Sequence, residues 1–143
     1  MITSTLICLA TVMYFEARGD GDTAAERHEA MLAVGDVVMT RVEWENMRRA
    51  LADPLSMERY QITPCEVIQA PNQFAYQDPR DADLHYDEWE TAVMAASAMV
   101  FDGERLGMGA THFHSYADPY AVSWAREGTL VGKVGGHWFF RVD

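Results

Sequence analysis

Apolar residues dominate the first stretch of the chain and surround it instead of following a single stripe. The segment from Thr3 to Arg18 contains good helix formers without glycine or proline, and apolar residues on all sides are typical of a buried helix. On the period of an α-helix, Glu16 shares a face with Leu9 and Val12, so its carboxyl group lies on an apolar side. The pattern therefore predicts a buried first helix with an acidic side chain near its end.

The middle of the chain predicts one long helix followed by an irregular region. Apolar residues recur at helical spacing from about 24 to 42 or beyond, and Thr23 followed by Glu26 has the spacing of a capping box. Residues 51–83 contain four of the five prolines and no long periodic pattern. We expect an irregular segment there with one short helix near 65–69. Loops of this length in compact domains are often functional.

The last third of the chain changes from helical spacing to alternation. An apolar stripe over 89–100 predicts a third helix, and Asp87 with Glu90 repeats the capping-box spacing. Residues 110–114 and 137–141 then alternate in polarity, as short extended segments do, and we expect two strands that can pair. Three helices and a small β-sheet place the chain in the α+β class, mainly helical.

Length and charge narrow the class of protein. At 143 residues the chain is long enough for one domain and too short for two, so we expect residues 1–143 to form a single domain. The formal net charge is −11. So acidic a surface disfavours nucleic acid, whose phosphates bind clustered Lys and Arg, and it also disfavours stable association with an anionic membrane.

The cysteines and the N-terminal run bear on where the protein acts. Cys8 and Cys65 have the spacing of neither a metal site nor a redox pair, and we expect two buried free thiols. The apolar run from Leu6 to Phe15 has no Lys or Arg before it and no clear cleavage site, so it does not resemble a signal peptide. It is also too short to cross a bilayer, and we expect it to belong to the fold.

Glu16 is the first candidate for chemistry. A carboxylic acid that stays protonated near neutral pH can protonate a leaving oxygen, and burial among apolar side chains raises a carboxyl pKa because it disfavours the charged form. The alternative is a solvated carboxylate in the last helical turn, or an ion pair with Arg18. The helix pattern by itself leaves both interpretations open.

The residues around Glu16 form a motif. The segment 14–20 has the sequence YFEARGD and resembles the Y-x-E-A-R-G-E signature of the SleB-like cell wall hydrolases, which include spore-cortex-lytic enzymes and phage lysins. Further segments similar to the family's motifs follow in order: VMTRV at 38–42, Cys65 with Gln69, Gln73 and Phe74, a helix led by Trp89, GATHFH at 109–114, Pro119 to Trp124, and 135–141. The departures are Asp20 for Glu, Thr40 for Asn, and Ala75 with Tyr76 for Ser with Trp.

The resemblance implies a fold similar to lysozymes and lytic transglycosylases, and cleavage of the β-1,4 bond between N-acetylmuramic acid and N-acetylglucosamine without a cofactor. Glu16 would protonate the leaving oxygen and then act as base. The motifs mark only this carboxylate, so the 1,6-anhydro product of a lytic transglycosylase is favoured over hydrolysis by a muramidase with a second carboxylate. Asp20 and Asp22 are the nearest candidates for that second group, although we expect both to be solvated in a turn.

Further residues are candidates for a substrate groove. They are polar or aromatic side chains that could bind a sugar or orient Glu16: Gln73, Phe74, Tyr76, Thr111, His112, His114, Tyr116, Trp124 and His137. Gln73 could equally brace its loop, and the histidines could be satisfied within the core. Two other functions stay open. One is a zinc-dependent wall peptidase or amidase with His112, His114 and His137 as ligands, and the other is a wall-binding module without activity.

The expected partner and location follow from the same resemblance. The partner would be the glycan strands of peptidoglycan, and we expect the protein to be a monomer. The signature begins within the first fourteen residues, so we expect neither a secretion signal nor a separate anchoring domain before it. That arrangement suits a phage endolysin that is made in the host cytoplasm and released to the wall through a pore-forming partner.

Overall fold

The computed structural model describes residues 2–55 and 61–143. Within these ranges, the helices α1 (Ile2–Ala17), α2 (Ala24–Ala52), α3 (Pro64–Gln69) and α4 (Tyr86–Asp102) come first, with a 3-10 turn at Pro79–Asp81. Strand β1 (His112–His114), helix α5 (Ser123–Glu127), strand β2 (Thr129–Val134) and strand β3 (His137–Arg141) follow. The mainly helical α+β class is thus confirmed. No helix in the described ranges is long and apolar enough to cross a bilayer.

Helix α1 lies at the centre of the helical layer. It packs against α2, α3 and α4, and the side chains of Leu9, Met13 and Tyr14 are fully buried. The Tyr14 hydroxyl accepts hydrogen bonds from the backbone N–H of His85 at 2.8 Å and from the Arg18 guanidinium at 3.0 Å, so this phenol in the core is satisfied. The prediction of a buried first helix is confirmed, because other helices cover α1 on several sides.

The starts of α2 and α4 differ in how they are capped. At α2 the Thr23 hydroxyl accepts from the Glu26 N–H at 3.1 Å, as predicted, while the Glu26 carboxylate accepts from the N–H of Asp22 instead of Thr23. At α4 the N-cap is His85, whose side chain makes no capping hydrogen bond. The predicted capping box at Asp87 is therefore wrong, because Asp87 already lies in the first turn of α4.

The described strands form one antiparallel sheet with the order β1-β3-β2. The register pairs His112 with Phe140, Phe113 with Phe139 and His114 with Trp138. The two predicted strands therefore do pair. The sequence pattern does not predict β2, because this edge strand is largely exposed and a shift in register between Leu130 and Gly132 breaks its alternation. Helix α5 is also missed, since five residues are too few for a periodic signal.

A disulfide joins α1 to α3. Cys8 and Cys65 are bonded, with their Cα atoms 5.4 Å apart, so the expectation of two free thiols is wrong. The two cysteines are separated by 57 positions in the sequence. They meet because α3 packs on α1, and no local spacing reveals that contact.

Candidate active site

Glu16 lies in the last turn of α1, where the helix meets the loop that follows α3. Its side chain is half-buried, and its Oε1 accepts a hydrogen bond of 2.5 Å from the backbone N–H of Ala75. These two residues are 59 positions apart. The acid that the helix pattern predicts therefore stands at a tertiary contact and not in a solvated helix end.

Burial sets the charge preference of Glu16. The pKa of its carboxyl group is raised above the ordinary value of 4.5, chiefly because burial penalises the charged form. The hydrogen bond from Ala75 and the positive charge of His137 lower this pKa, whereas the negative charge of Asp20 raises it. The net direction favours the protonated acid, which is the form that can donate a proton.

Asp20 and His137 form a hydrogen-bonded pair beside Glu16. Asp20 Oδ2 and His137 Nδ1 are 2.7 Å apart, and both side chains are largely buried. Gly135 and Gly136, in the turn between β2 and β3, lie against the Asp20 carboxylate, and a Cβ at Gly135 would be only 2.7 Å from Oδ2. The expected solvation of Asp20 in a turn is therefore wrong, because this hairpin covers it. We call Glu16, Asp20 and His137 the acid centre.

A second cluster forms around Arg41 of α2. Its Nε donates to the Thr111 carbonyl at 2.6 Å, and its Nη1 donates to Oε1 of Gln73 at 3.0 Å. The guanidinium group also lies over the Phe74 ring, 4.8 Å from the ring centre, which is within the range of a cation–π contact. We call Arg41, Gln73, Phe74 and Thr111 the arginine brace. It holds the loop after α3 against the segment that leads into β1.

Sequence reasoning did not select Arg41, or a second buried charge on α2, as site residues. Asp36 is fully buried, and its carboxylate pairs with Arg105 at 2.5 Å and accepts the Met108 N–H at 3.0 Å. This contact ties the start of the 109–114 motif to α2. The available signal was a charged residue inside an otherwise apolar helical stripe, which usually needs a buried partner.

His112 lies beside the arginine brace. Its Nδ1 is 2.9 Å from the Thr111 hydroxyl, and its ring centre is 5.0 Å from that of Trp124. Burial, with a smaller effect of the Arg41 charge, lowers the pKa of His112 from 6.5 to about 4. His112 is therefore neutral at pH 7, so one ring nitrogen can donate a hydrogen bond and the other can accept one.

His114 is engaged by the backbone at both ring nitrogens. Nδ1 accepts from the Tyr116 N–H at 3.1 Å, and Nε2 lies 2.8 Å from the Pro119 carbonyl. Because a carbonyl can only accept, Nε2 carries the hydrogen, and the neutral tautomer satisfies both contacts. The ring also stacks on Phe140. The interpretation of a histidine satisfied within the core fits His114 better than direct contact with a sugar.

The other predicted groove residues are dispersed. Trp124 packs near His112 and His114, Tyr116 is exposed, and the half-buried Tyr76 accepts a hydrogen bond of 3.3 Å from Gln69. The fold thus groups the predicted residues into the acid centre, the arginine brace with His112, and an aromatic group around β1, while Tyr76 follows Ala75, which contacts Glu16.

An apolar groove of about 790 Å³ lies beside the arginine brace. Its walls come from α2, from α3 with its flanking residues, and from the start of β1 and the end of the chain after β3. Arg41, Trp44, Met47, Leu51, Ile62, Val67, Gln73, Thr111, His112 and Val142 are among the lining residues. No residue of the acid centre lines it. The loop after α3 reaches both places, since Gln73 lines the groove and Ala75 contacts Glu16. Phe113, which follows the lining residue His112, contacts both Phe74 and His137.

The three histidines of the zinc alternative have different partners. His112 contacts Thr111, His114 contacts two backbone groups, and His137 contacts Asp20. In the part of the chain that the structure describes, no group of three or more His, Cys, Asp or Glu side chains could hold a metal ion. The donors that the zinc alternative needs are therefore not assembled there.

A buried acid beside a carboxylate–histidine pair, on a mainly helical α+β scaffold, is suited to acid/base chemistry. In a comparison with known families, the family model described as Cell Wall Hydrolase matches residues 25–140. The chain belongs to this family, which confirms the resemblance to SleB-like enzymes and supports a peptidoglycan-degrading hydrolase. The match includes His137 and the arginine brace, but it begins after Glu16 and Asp20. No curated protein and no solved structure matches the chain, so the similarity to the lysozyme fold stays a prediction.

Proposed function

We propose that this cell wall hydrolase is a glycosidase that cleaves the β-1,4 bond between N-acetylmuramic acid and N-acetylglucosamine, with Glu16 as general acid and then base. The observation that carries the proposal is the burial of Glu16, which raises its pKa. Glycosidic cleavage needs an acid that keeps its proton. The position of Glu16 in the last turn of α1 acts in the same direction, since the C-terminal carbonyls of a helix disfavour a negative charge.

The proposed reaction moves one proton through a cycle. Glu16 donates its proton to the bridging oxygen as that oxygen leaves C1 of the muramic acid, which frees a hydroxyl on the N-acetylglucosamine. The Glu16 carboxylate then accepts the proton of the muramic acid 6-hydroxyl as this oxygen bonds to C1. A 1,6-anhydro end forms, the acid is restored and no water is consumed. The Ala75 N–H, which donates to Glu16, stabilises the carboxylate stage.

The environment of Asp20 favours the lytic transglycosylase outcome over muramidase hydrolysis. A hydrolase of either stereochemistry commonly needs a second carboxylate that is free to act on water or on the sugar. Asp20 is the carboxylate whose charge acts on Glu16, but its Oδ2 is bonded to His137 and covered by the β2–β3 turn. We infer that Glu16 works as the single acid/base.

The groove beside the arginine brace is where we expect the substrate to extend. Trp44 offers an aromatic surface for a sugar face, and Gln73, Thr111 and His112 add polar groups to the lining. Gln73 of the groove and Ala75, which contacts Glu16, belong to one loop, and we propose that a bound glycan strand continues from the groove along this loop to Glu16.

The disulfide supports action outside the cytoplasm. Disulfides form and persist in oxidising surroundings and are rare in the cytosol, and Cys8 and Cys65 are bonded. We propose that the chain reaches the wall as a phage endolysin does, through a pore-forming partner, and that the bond between α1 and α3 forms after release.

The test compares the wild type, Glu16→Gln and the matched control Glu29→Gln, an exposed glutamate on α2, on purified sacculi. The soluble fragments are identified by mass. We expect anhydro-muropeptides, each lighter by one water than a hydrolysis product, from the wild type and the control. Glu16→Gln should lose about 10²- to 10⁴-fold in rate, as expected for a general acid/base. Reducing ends from the wild type would overturn the transglycosylase outcome, and full activity in Glu16→Gln would overturn the role of Glu16.

A further inference from the structure

The Asp20–His137 pair has no step in the proton cycle of Glu16, yet several contacts hold it in place. The 2.7 Å hydrogen bond joins the turn after α1 to the start of β3. The edge-on ring of Phe113 lies 5.2 Å from the His137 ring, and Phe139 lies on β3 two residues beyond. The pair is thus enclosed between the helical layer and the sheet, next to Glu16.

The charges around His137 come from two directions. The carboxyl group of Glu16 faces it from the end of α1, and that of Asp20 faces it from the following turn. The neighbours contributed by β1 and β3 are the uncharged rings of Phe113 and Phe139. The charge state of Glu16 is therefore coupled to this pair, since each of its members acts on Glu16 through its charge.

We propose that His137 is a positioning residue for Glu16 and that Asp20 orients it: Asp20 accepts the Nδ1 hydrogen, and protonated His137 stabilises the carboxylate that Glu16 becomes after it gives its proton to the leaving oxygen. This inference rests on the proposed function of Glu16. While Glu16 still holds its proton, the negative charge of Asp20 and the positive charge of protonated His137 cancel. After Glu16 has given up its proton, protonated His137 is one positive charge beside the two carboxylates of Glu16 and Asp20. Without that cation, two neighbouring negative charges would face each other in a half-buried site, which is unfavourable.

His137→Asn distinguishes the effect of the His137 charge on Glu16 from the structural effect of the hydrogen bond between His137 and Asp20. The asparagine side-chain amide can donate to Asp20 from about the position of Nδ1, but it carries no charge. His85→Asn is the matched control, because His85 is exposed and lies at the start of α4, where asparagine is a favourable N-cap.

The first measurement is the NMR titration of ¹³C-carboxyl-labelled Glu16 in the substrate-free protein. We expect His137→Asn to raise the Glu16 titration midpoint, because a positive charge is removed, and His85→Asn to leave it unchanged. If His137→Asn does not fold, the equally uncharged His137→Gln takes its place and should raise the midpoint for the same reason. A Glu16 midpoint that is the same as in the wild type would overturn the inference.

The second measurement is the pH profile of fragment release from sacculi. His137→Asn should lower the maximal rate about tenfold. The alkaline limb of the profile, on which activity falls as the pH rises, should move to higher pH. A loss of rate with an unchanged limb would show that the pair only braces the fold. If Glu16→Gln stays active, the proposed function fails whatever the titration shows. If Glu16→Gln is inactive and His137→Asn changes neither the midpoint nor the limb, the inference alone fails.

Discussion

The acid centre and the arginine brace contact consecutive residues of one loop and use charge in opposite ways. In the acid centre a half-buried carboxyl group, whose pKa is raised by burial, lies beside a carboxylate and a histidine that are hydrogen-bonded to each other. In the brace a guanidinium group is bound by neutral oxygens and one ring. Arginine keeps its proton at any ordinary pH. The brace can therefore position the loop, whereas the acid centre can exchange protons.

Whether a residue in a motif holds the structure or takes part in a reaction depends on the groups that contact it. Gln73 and Glu16 both lie in segments that resemble motifs of the family, but Gln73 has its Oε1 engaged by Arg41 while Glu16 accepts a single backbone N–H. A group whose partners are already satisfied holds the structure. A group that is desolvated and only partly satisfied is available for reaction.

The largest expected effect comes from removing the Cys8–Cys65 disulfide, which joins α1 to α3 and so holds the loop after α3 in place. In the double variant Cys8→Ser/Cys65→Ser, the free energy of unfolding should fall by about 4 kcal/mol, because the unfolded chain regains the entropy of an open loop of 57 residues. Urea unfolding followed by circular dichroism measures it. Wild type with reductant is the control and should match the variant. An unchanged unfolding midpoint would show that the bond does not restrain the unfolded chain.

The next effect should separate the brace from ordinary surface charges. Arg41→Met removes a half-buried cation and leaves the acceptors on Gln73 and Thr111 without their donor, so we expect a loss of about 2–3 kcal/mol in the free energy of unfolding. Arg41→Lys should recover only part, since an ammonium cannot reproduce the forked geometry. The control is Arg48→Met on the same helix, an exposed arginine paired with Glu45, which should change little. Equal effects of the two methionine variants would contradict the brace.

A smaller effect should come from crowding the acid centre. Gly135→Ala places a methyl group 2.7 Å from Asp20 Oδ2 at a φ of +57°. Gly109→Ala imposes similar backbone strain, at a φ of +69°, in open space. We expect the free energy of unfolding of Gly135→Ala to be about 1–2 kcal/mol lower than that of Gly109→Ala. Gly135→Ala should also lose more activity. If the two variants are equally stable, Asp20 is not confined by the hairpin.

The smallest expected effect concerns His112, next to the brace. Its folded pKa of about 4 lies below the ordinary 6.5, so the unfolded chain binds a proton first as the pH falls. The free energy of unfolding should therefore decrease between pH 6.5 and 4, by about 1 kcal/mol after allowance for solvent screening of a half-exposed ring. His112→Gln should lose this part of the pH dependence in urea titrations at several pH values. An identical slope in the variant would contradict the prediction.

Periodicity and motif spacing predicted much of the architecture and the central acid. All-round apolar positions placed α1 in the core, and the helical face shared by Glu16 with Leu9 and Val12 placed its carboxyl group on an apolar side. The failures concern contacts across the chain. The sequence predicted two separate thiols at Cys8 and Cys65, because the two cysteines are 57 positions apart. It predicted a solvated turn residue at Asp20, because its partner His137 lies 117 positions away.

By itself, the sequence determined helices α1 to α4, the paired strands β1 and β3, the family and the candidate Glu16, because these depend on spacing along the chain. Only the tertiary structure decided which charges meet. Packing brought Ala75 to Glu16, His137 to Asp20 and the carbonyl of Thr111 to Arg41. The physical reason is that desolvation and hydrogen bonding act over a few ångströms in space. A residue's protonation and role therefore depend on neighbours that local spacing does not specify.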